Sequence, residues 1–560
     1  MREIDRLTVD EHGTPSLRLM EAAGKAVASA VREALAGNVA GRAILILCGP
    51  GNNGGDGAVA ARSLASLGAV VQVVLFGLVA DTKGDARVNF EVLRGLPADP
   101  ECISALADAH VDLSGLERFR GLIRFTECPS GEEWESVLQS HPDQSYDVFV
   151  DALFGTGLRR PLEGVHRAAV EYLLQVRSQP CHGIIVSIDI PSGLDADLAE
   201  PIGPAVSADL TVTMTAAKPA NVLPPASKYN GKLVVADIGS PLELVKAADS
   251  KLFLVEGSDA RDWLVRTRYT PESYKNTHGH ALVIAGSRGF TGAAVLCGAA
   301  ALRAGAGLVT IATPVSAQPA VASSAMPEIM TAALPETDRG AVSDEALEHA
   351  LRLAGKTNVV AIGPGLSSED ERTRSFVRSF VERRVTPVVI DADALNALAP
   401  WPEELHGNTA HSLVLTPHQG EMLRLMGTTD KAALADRVAA ARSFATWHDV
   451  ILVMKGTRTL IAAPDGRVFV NPTGNAGLGT AGAGDTLTGL IAGFLAQANA
   501  AAESGSTTNV VDSVIAAVYV GGLAGDFAAH ELGMRTMVAS DVRDHFSAAI
   551  LSLDPEGELP

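Results

Sequence analysis

The chain has 560 residues, 47% hydrophobic and 20% charged, which excludes a disordered chain and a single ordinary core; about two to four domains are expected. Only 4% of residues are aromatic while 54 are glycine, so close helix–sheet packing with glycine-rich turns is expected over an aromatic-lined β-sandwich. A formal net charge of −20 without any dense Lys/Arg run excludes a nucleic-acid partner, although backbone amides can still bind a small phosphate ligand.

The N-terminal MREIDRLTVDEHG is charged throughout and lacks an apolar h-region, so it does not read as a signal peptide. Residues 16–36 repeat apolar positions at three and four, predicting an amphipathic helix with Ser16 as N-cap and Gly37 just beyond its end. The continuous apolar run at 43–49 predicts a buried parallel strand. A glycine-rich turn and a helical stretch follow. The alternation recurs through VVQVVLFG, YDVFVDALFG and GIIVSIDIPSG, the βαβ rhythm of a Rossmann-like doubly wound sheet. Between 240 and 275 the pattern loosens, and ALVIAGS (281–287) opens a second α/β series. That series runs through GLVTIATP, NVVAIGPG, PVVIDADALN, SLVLTPH and VILVMKGTRTLIAAP. A boundary is expected near 250, with domains at 1–245 and 255–555. Apolar runs such as AILILC and GIIVSIDI are too short to span a bilayer, so no membrane partner is expected. Cys48, Cys102, Cys128, Cys181 and Cys297 are odd in number, scattered and free of a CxxC pair; a reducing, cytoplasmic setting fits better than a disulfide framework or a zinc site.

Chemistry concentrates in two places. In the first half, a strand runs into Gly49-Pro50-Gly51-Asn52-Asn53-Gly54-Gly55-Asp56-Gly57 and then a helix. Glycines let the backbone turn and approach a ligand, free amides favour an anion, and Asn and Asp oxygens can hold a ligand or a hard cation. Asp151 ends the strand YDVFVD, and Asp189 is read as part of the strand VSIDIPSG, three residues before Ser192. In open α/β sheets such carboxyl ends converge on one crevice. In the second half, residues 477–489 (GLGTAGAGDTLTG) form a glycine-rich loop entering a helix, with Asp485 placed to activate a hydroxyl beside a phosphate. Lys455-Gly456-Thr457-Arg458-Thr459 follows a strand where a nucleotide's phosphates could lie, and His418 ends another. Each of these alone is also consistent with a plain turn, a surface hairpin or a structural histidine.

PSLRLMEAAG, NNGGDG, DALFGTG and DIPSG, in that order, resemble the NAD(P)H-hydrate epimerase family over roughly residues 1–240. The resemblance implies that Asn52, Asn53, Gly54, Gly55 and Asp56 contact the hydrated dinucleotide, with Gly155, Thr156, Gly157, Leu158, Arg159, Arg160 and Pro161. It further implies a potassium ion among Asn53, Asp151 and Ser192, with Asp189 as acid/base and substrate contact. The GAGD ending resembles the ribokinase-like superfamily. AGSRGFTGAAVL, AGAGLVT, GPGL, DADALN, TPHQGE and KGTRT resemble its ADP-dependent NAD(P)H-hydrate dehydratase branch over about 275–550. That implies hydrate contacts from Ala293, Gly365, His418 and Asp485, and ADP held by Lys455, Gly456, Thr457, Arg458 and Thr459 with Gly484. Asp485 would be the base, and magnesium is expected with ADP although no carboxylate cage is visible. TPESYKNTHGH stands where a His-Lys-Gly lead-in is expected, and GTAGAGD replaces a GTGGTGD-like run, its alanines small enough to keep the phosphate cradle.

The expected whole is an α/β enzyme acting on small molecules, assembled as a homo-oligomer, that repairs hydrated NADH and NADPH. Two other readings are open. A small-molecule kinase would also use GAGD, but it has no need of the NNGGDG half. A non-catalytic binding scaffold predicts a damaged acid/base site, and Asp189 is present.

Overall fold

In a computed structural model, residues 1–95, 104–107, 109, 120–140, 145–503 and 509–557 are described; Cys102 lies outside them, and the other four cysteines are free thiols. The apolar run at 43–49 becomes strand β1 (Ala43–Cys48), whose side chains alternate between two cores. Ile44, Ile46 and Cys48 face the helices Ser16–Ala34 and Asn52–Ser66; Leu45 and Leu47 share the other core with Trp134, Val170 and Leu173 from the helices Gly131–Gln139 and Gly164–Arg177. Burial on both faces is why this strand reads as continuously apolar.

β2 (Val70–Leu75), β3 (Ile123–Glu127), β4 (Val148–Ala152), β5 (Ile184–Ile188), β6 (Leu210–Met214) and β7 (Lys232–Ala236) complete a seven-stranded, all-parallel sheet in the order β3-β2-β1-β4-β5-β6-β7. Strand order reverses between β1 and β4, which opens a crevice at their carboxyl ends.

The chain divides into two compact units, Met1–Asp249 and Ser250–Pro560. The second holds a ten-stranded sheet, which begins with β8 (Leu252–Leu254) in a stretch whose sequence pattern had loosened. The parallel strands are β9 (His280–Ile284), β10 (Leu308–Pro314), β11 (Met330–Leu334), β12 (Val359–Ile362), β13 (Val388–Ile390), β14 (Leu413–Leu415) and β15 (Ile451–Met454). The order is β11-β10-β9-β12-β13-β14-β15, continued by β16 (Leu460–Ala462), antiparallel to both neighbours, then β17 (Val468–Val470) and β8. Its order reverses between β9 and β12.

Three local expectations change. Ser16 is the first helical residue, and Pro15 occupies the N-cap without a side-chain bond. That helix ends at Ala34 because Ala36 and Gly37 turn left-handed. Asp189 lies just beyond β5, at φ 65°, outside the strand. The helix Val510–Leu532, 23 residues with mean hydropathy 1.5, is long and apolar enough to cross a membrane by length and composition, unlike the short runs weighed above. In this fold its apolar side chains join the core of the second unit with the helices Gly257–Arg266 and Ala483–Glu503.

Candidate active sites

At the β1/β4 switch point the chain turns through Gly49-Pro50-Gly51 into the helix Asn52–Ser66. A Cβ on Gly54 would stand 1.9 Å from the Gly49 carbonyl oxygen, and one on Gly57 would stand 2.7 Å from Ala152 Cβ. The helix therefore sits directly on the strand ends, and glycine is what the contact requires. Gly54 and Gly55 are buried in this packing, while Asn52 is exposed, Asp56 half-buried and Asn53 9% exposed with its Nδ2 unpartnered.

Asp189 is salt-bridged to Lys218, Oδ1 to Nζ 2.5 Å, and the same oxygen accepts from Thr213 Oγ1 at 3.1 Å. Lys218 Nζ also donates to Thr213 Oγ1 (2.8 Å) and to the Met214 carbonyl (2.9 Å), so all three ammonium protons are placed. A Cβ added to Gly155 would lie 3.0 Å from both Asn53 Oδ1 and Asp189 Oδ2. The β1, β4 and β5 ends thus meet at one point that only glycine leaves open. Burial raises the Asp56 pKa well above its ordinary value, with the Asp189 and Asp5 charges adding to the effect.

Asp151 is fully buried and accepts from Ser187 Oγ (2.9 Å), Ser192 N (2.8 Å), Ser192 Oγ (2.6 Å) and Leu153 N (3.3 Å). Burial raises its pKa and these bonds oppose the rise. The oxygens of Asn53, Asp151 and Ser192 suit a hard monovalent cation in kind, but Asp151 already engages about four donors, the usual capacity of a carboxylate. Other residues on 155–161 are placed less directly. Leu158 turns into the hydrophobic core, Arg159 is paired with Asp195 (2.5 Å) and Asp197 (2.7 Å), and Gly157, Arg160 and Pro161 are exposed. Thr156 is half-buried.

In the second unit, the ends of β13, β14 and β15 are tied together: Thr416 N donates to the Ile390 carbonyl (3.1 Å) and Lys455 N to the Pro417 carbonyl (2.8 Å). Asp391, 1% exposed, pairs with Lys455 Nζ at 2.7 Å and accepts from Thr488 Oγ1 at 2.8 Å. Burial acts to raise the Asp391 pKa, but Lys455 and the hydroxyls hold it below its ordinary value; against the same burial, Asp391 raises that of Lys455. Gly484 lies over this pair, its would-be Cβ 3.4 Å from Lys455 Nζ. Asp485 is in the first turn of the helix Ala483–Glu503. Burial and then Asp391 push its pKa up to about 6, against the pull of Lys455.

Gly365, at φ 64°, would place a Cβ 3.0 Å from Ala293 Cβ, so these two predicted contacts adjoin at the β9/β12 switch. His418 is half-engaged by structure: its Nδ1 accepts from Gly420 N (3.0 Å) and Glu421 N (3.3 Å), capping the helix Gln419–Leu425. In the 455–459 loop, Arg458 donates to the Pro472 carbonyl (2.6 Å), Thr459 Oγ1 to that of Gly456 (3.2 Å), and Arg437 Nη1 to that of Thr457 (3.0 Å). Among the described residues no group of three or more His, Cys, Asp and Glu is placed to hold a metal ion.

Two family models match the chain: one described as NAD(P)H-hydrate dehydratase over residues 281–547, and one described as YjeF-related protein N-terminus over residues 16–220. The bifunctional NAD(P)H-hydrate repair enzyme Nnr of Moorella thermoacetica is 39% identical over 558 residues, covering 100% of this chain and 97% of its own. The chain belongs to the bifunctional NAD(P)H-hydrate repair enzyme family. The family's enzyme from Thermofilum pendens is 37% identical (99% of this chain, 96% of its own), and that of Escherichia coli 32% (99% and 93%). Among solved structures, the ADP/ATP-dependent NAD(P)H-hydrate dehydratase of Bacillus subtilis, crystallised with ATP and magnesium, is 28% identical with a TM-score of 0.45, covering 54% of this chain and 99% of its own.

Two residues of this repair-enzyme chain were not singled out by sequence reasoning: Lys218 and Asp391. Lys218 follows β6 in TMTAAKPANV, with no spacing that ties it to Asp189. Asp391 opens DADALN, whose pattern as a whole marks no single residue for a role.

Proposed function

We propose that the Met1–Asp249 unit interconverts the two epimers of hydrated NADH and NADPH, and that the Ser250–Pro560 unit dehydrates one of them at the expense of ADP. The observation that carries this is that each unit keeps a polar, partly buried carboxylate site at the carboxyl ends of its parallel strands, around Asp189 and around Asp485.

In the first site the hydrate's hydroxyl sits on the carbon beside the ring nitrogen. Its loss leaves a planar iminium-like centre that water can re-enter from either face. Asp56, whose pKa burial raises well above its ordinary value, is suited to protonate the departing hydroxyl. Asp189, fixed by Lys218, is suited to accept a proton from the returning water. Potassium would be held by Asn53, Asp151 and Ser192, exchanging one of the hydrogen bonds on Asp151, and would supply a fixed positive charge.

In the second site Asp485 takes the hydroxyl proton as the hydroxyl oxygen attacks the β-phosphorus of ADP, and the bridging bond to AMP breaks. The new phosphate ester then leaves as phosphate, and loss of a proton from the neighbouring ring carbon restores the dihydronicotinamide double bond. The Gly484 loop and Lys455–Thr459 would hold the nucleotide, with magnesium arriving on its phosphates.

The test is incubation of the full chain with hydrated NADH and ADP in potassium or in sodium. Recovery of dihydronicotinamide absorbance with release of AMP and phosphate is expected, with slower epimer exchange in sodium. A phosphorylated product that accumulates, with no absorbance recovered, would favour the kinase reading instead.

A further inference from the structure

Four buried side-chain atoms among the described residues of Met1–Asp249 have no hydrogen-bond partner: Asp5 Oδ1, Asn53 Nδ2, Arg62 Nε and His166 Nε2. Arg62 belongs to a network with Glu21 and Asn89, and His166 packs between Phe76 and Phe154. The other two bear on Asp189, Asn53 by adjacency and Asp5 by charge. Asn53 meets Asp189 at the Gly155 opening. Asp5, on the helix Arg2–Asp10, lies close enough to Lys218, Asp189 and Asp56 for their charges to bear on its carboxyl. That helix precedes the segment matched by the family model, which begins at residue 16.

A buried polar atom left without a partner costs free energy. Here one orphan is an acceptor and the other carries donors; Asn53 adjoins the residue that handles the hydroxyl, and Asp5 lies within range of its charge. A phosphate presents acceptors only, so it would satisfy Asn53 and repel Asp5. A planar carboxamide presents N–H donors and a carbonyl acceptor on one carbon, and the hydrated nicotinamide ring carries such a group. Lys218 cannot answer Asp5, because its three protons already go to Asp189, Thr213 and Met214.

We infer that Asp5 and Asn53 hold the carboxamide of the hydrated nicotinamide in the epimerase site, Asp5 accepting its N–H and Asn53 donating to its carbonyl oxygen. The inference rests on the epimerase reading of this unit. It makes the N-terminal helix part of the substrate site, and it makes Asp5 a substrate-positioning residue whose loss weakens binding more than turnover.

The test uses the full chain and two substrates: hydrated NADH, and the hydrate of its 3-acetylpyridine analogue, which keeps the carbonyl and lacks the N–H donors. Epimer exchange is followed by NMR for wild type, Asp5→Ala and Asp5→Asn. Wild type is expected to show a KM about tenfold to a hundredfold higher for the acetyl analogue, the usual loss when a hydrogen bond to a charged group is removed. Asp5→Ala should raise the KM for hydrated NADH by a similar factor, leave kcat within about threefold, and no longer distinguish the two substrates. Asp5→Asn, which keeps an acceptor oxygen and the size, should regain part of the discrimination. Equal KM values for the two substrates in wild type, or full discrimination retained by Asp5→Ala, would overturn the inference. Failure of wild type to exchange the epimers of hydrated NADH at all would overturn the epimerase reading itself.

Discussion

Asp485 has to be ionised to take a proton, and burial together with Asp391 raises its pKa to about 6. Because the active form is the deprotonated one, kcat/KM for dehydration is expected to fall as pH drops through about 6. Asp485→Asn should lower the rate by about a hundredfold or more and remove that acid limb. A pH–rate profile on hydrated NADH with saturating ADP checks both, and a wild-type profile flat down to pH 5 would contradict the assignment. Asp189 and Asp485 were legible in the sequence because each stands beside a strand end or a glycine-rich turn, where local pattern alone places a side chain at a crevice. Lys218 and Asp391 were not. Their roles arise from ion pairs spanning 29 and 64 positions, and nothing in the chain between announces such a pairing. Gly54, Gly55 and Leu158 show the reverse. Their motifs are plain in the sequence, but the fold buries these residues against Gly49, Met20 and the hydrophobic core.

The strands that were legible are those written as unbroken apolar runs, which leave little room for another reading. β6 and β7 alternate or carry polar ends (LTVTM, KLVVA), and β8 is three residues long, so their pairing depends on neighbours distant in sequence. The helix Arg2–Asp10 reads in sequence as a segment charged throughout, because its buried residues Ile4 and Thr8, one turn apart, stand among charged neighbours. The helix Ala483–Glu503 carries two burdens: its first turn presents Asp485, and its flank packs on the helix Thr291–Arg303. At Gly489 an added Cβ would stand 2.1 Å from the Cys297 carbonyl oxygen and 2.8 Å from Ala300 Cβ. Backbone lies in the way, so the helix itself must move. Gly489→Val is therefore expected to destabilise the second unit by about 1–3 kcal/mol or more and to lower dehydration by displacing Asp485. Thermal unfolding and steady-state rates measure the two effects; an unchanged Tm would show that the helices are not packed as closely as described.

At the scale of the whole molecule, each unit has its own sheet, its own core and its own carboxylate site, so the two activities should be separable by substitution. Spontaneous hydration of the ring gives both epimers, and a stereospecific dehydratase site consumes one of them. In wild type, an equal mixture with excess ADP should be cleared in a single fast course, because the first unit replenishes the epimer that the second removes. Asp189→Ala deletes the carboxylate that Lys218 holds at the Gly155 opening and leaves the Asp485 site untouched. The mixture should then clear in two phases: a fast one covering one epimer's share at the wild-type rate, and a slow one set by spontaneous epimerisation. The fast phase reports the second unit and the slow phase reports the first, so one progress curve of absorbance reads both. Clearance of the whole mixture at the wild-type rate would remove Asp189 from the epimerisation chemistry. Collapse of the fast phase would mean that the second unit's turnover depends on the state of the first, and the two sites would then have to be treated as one coupled device.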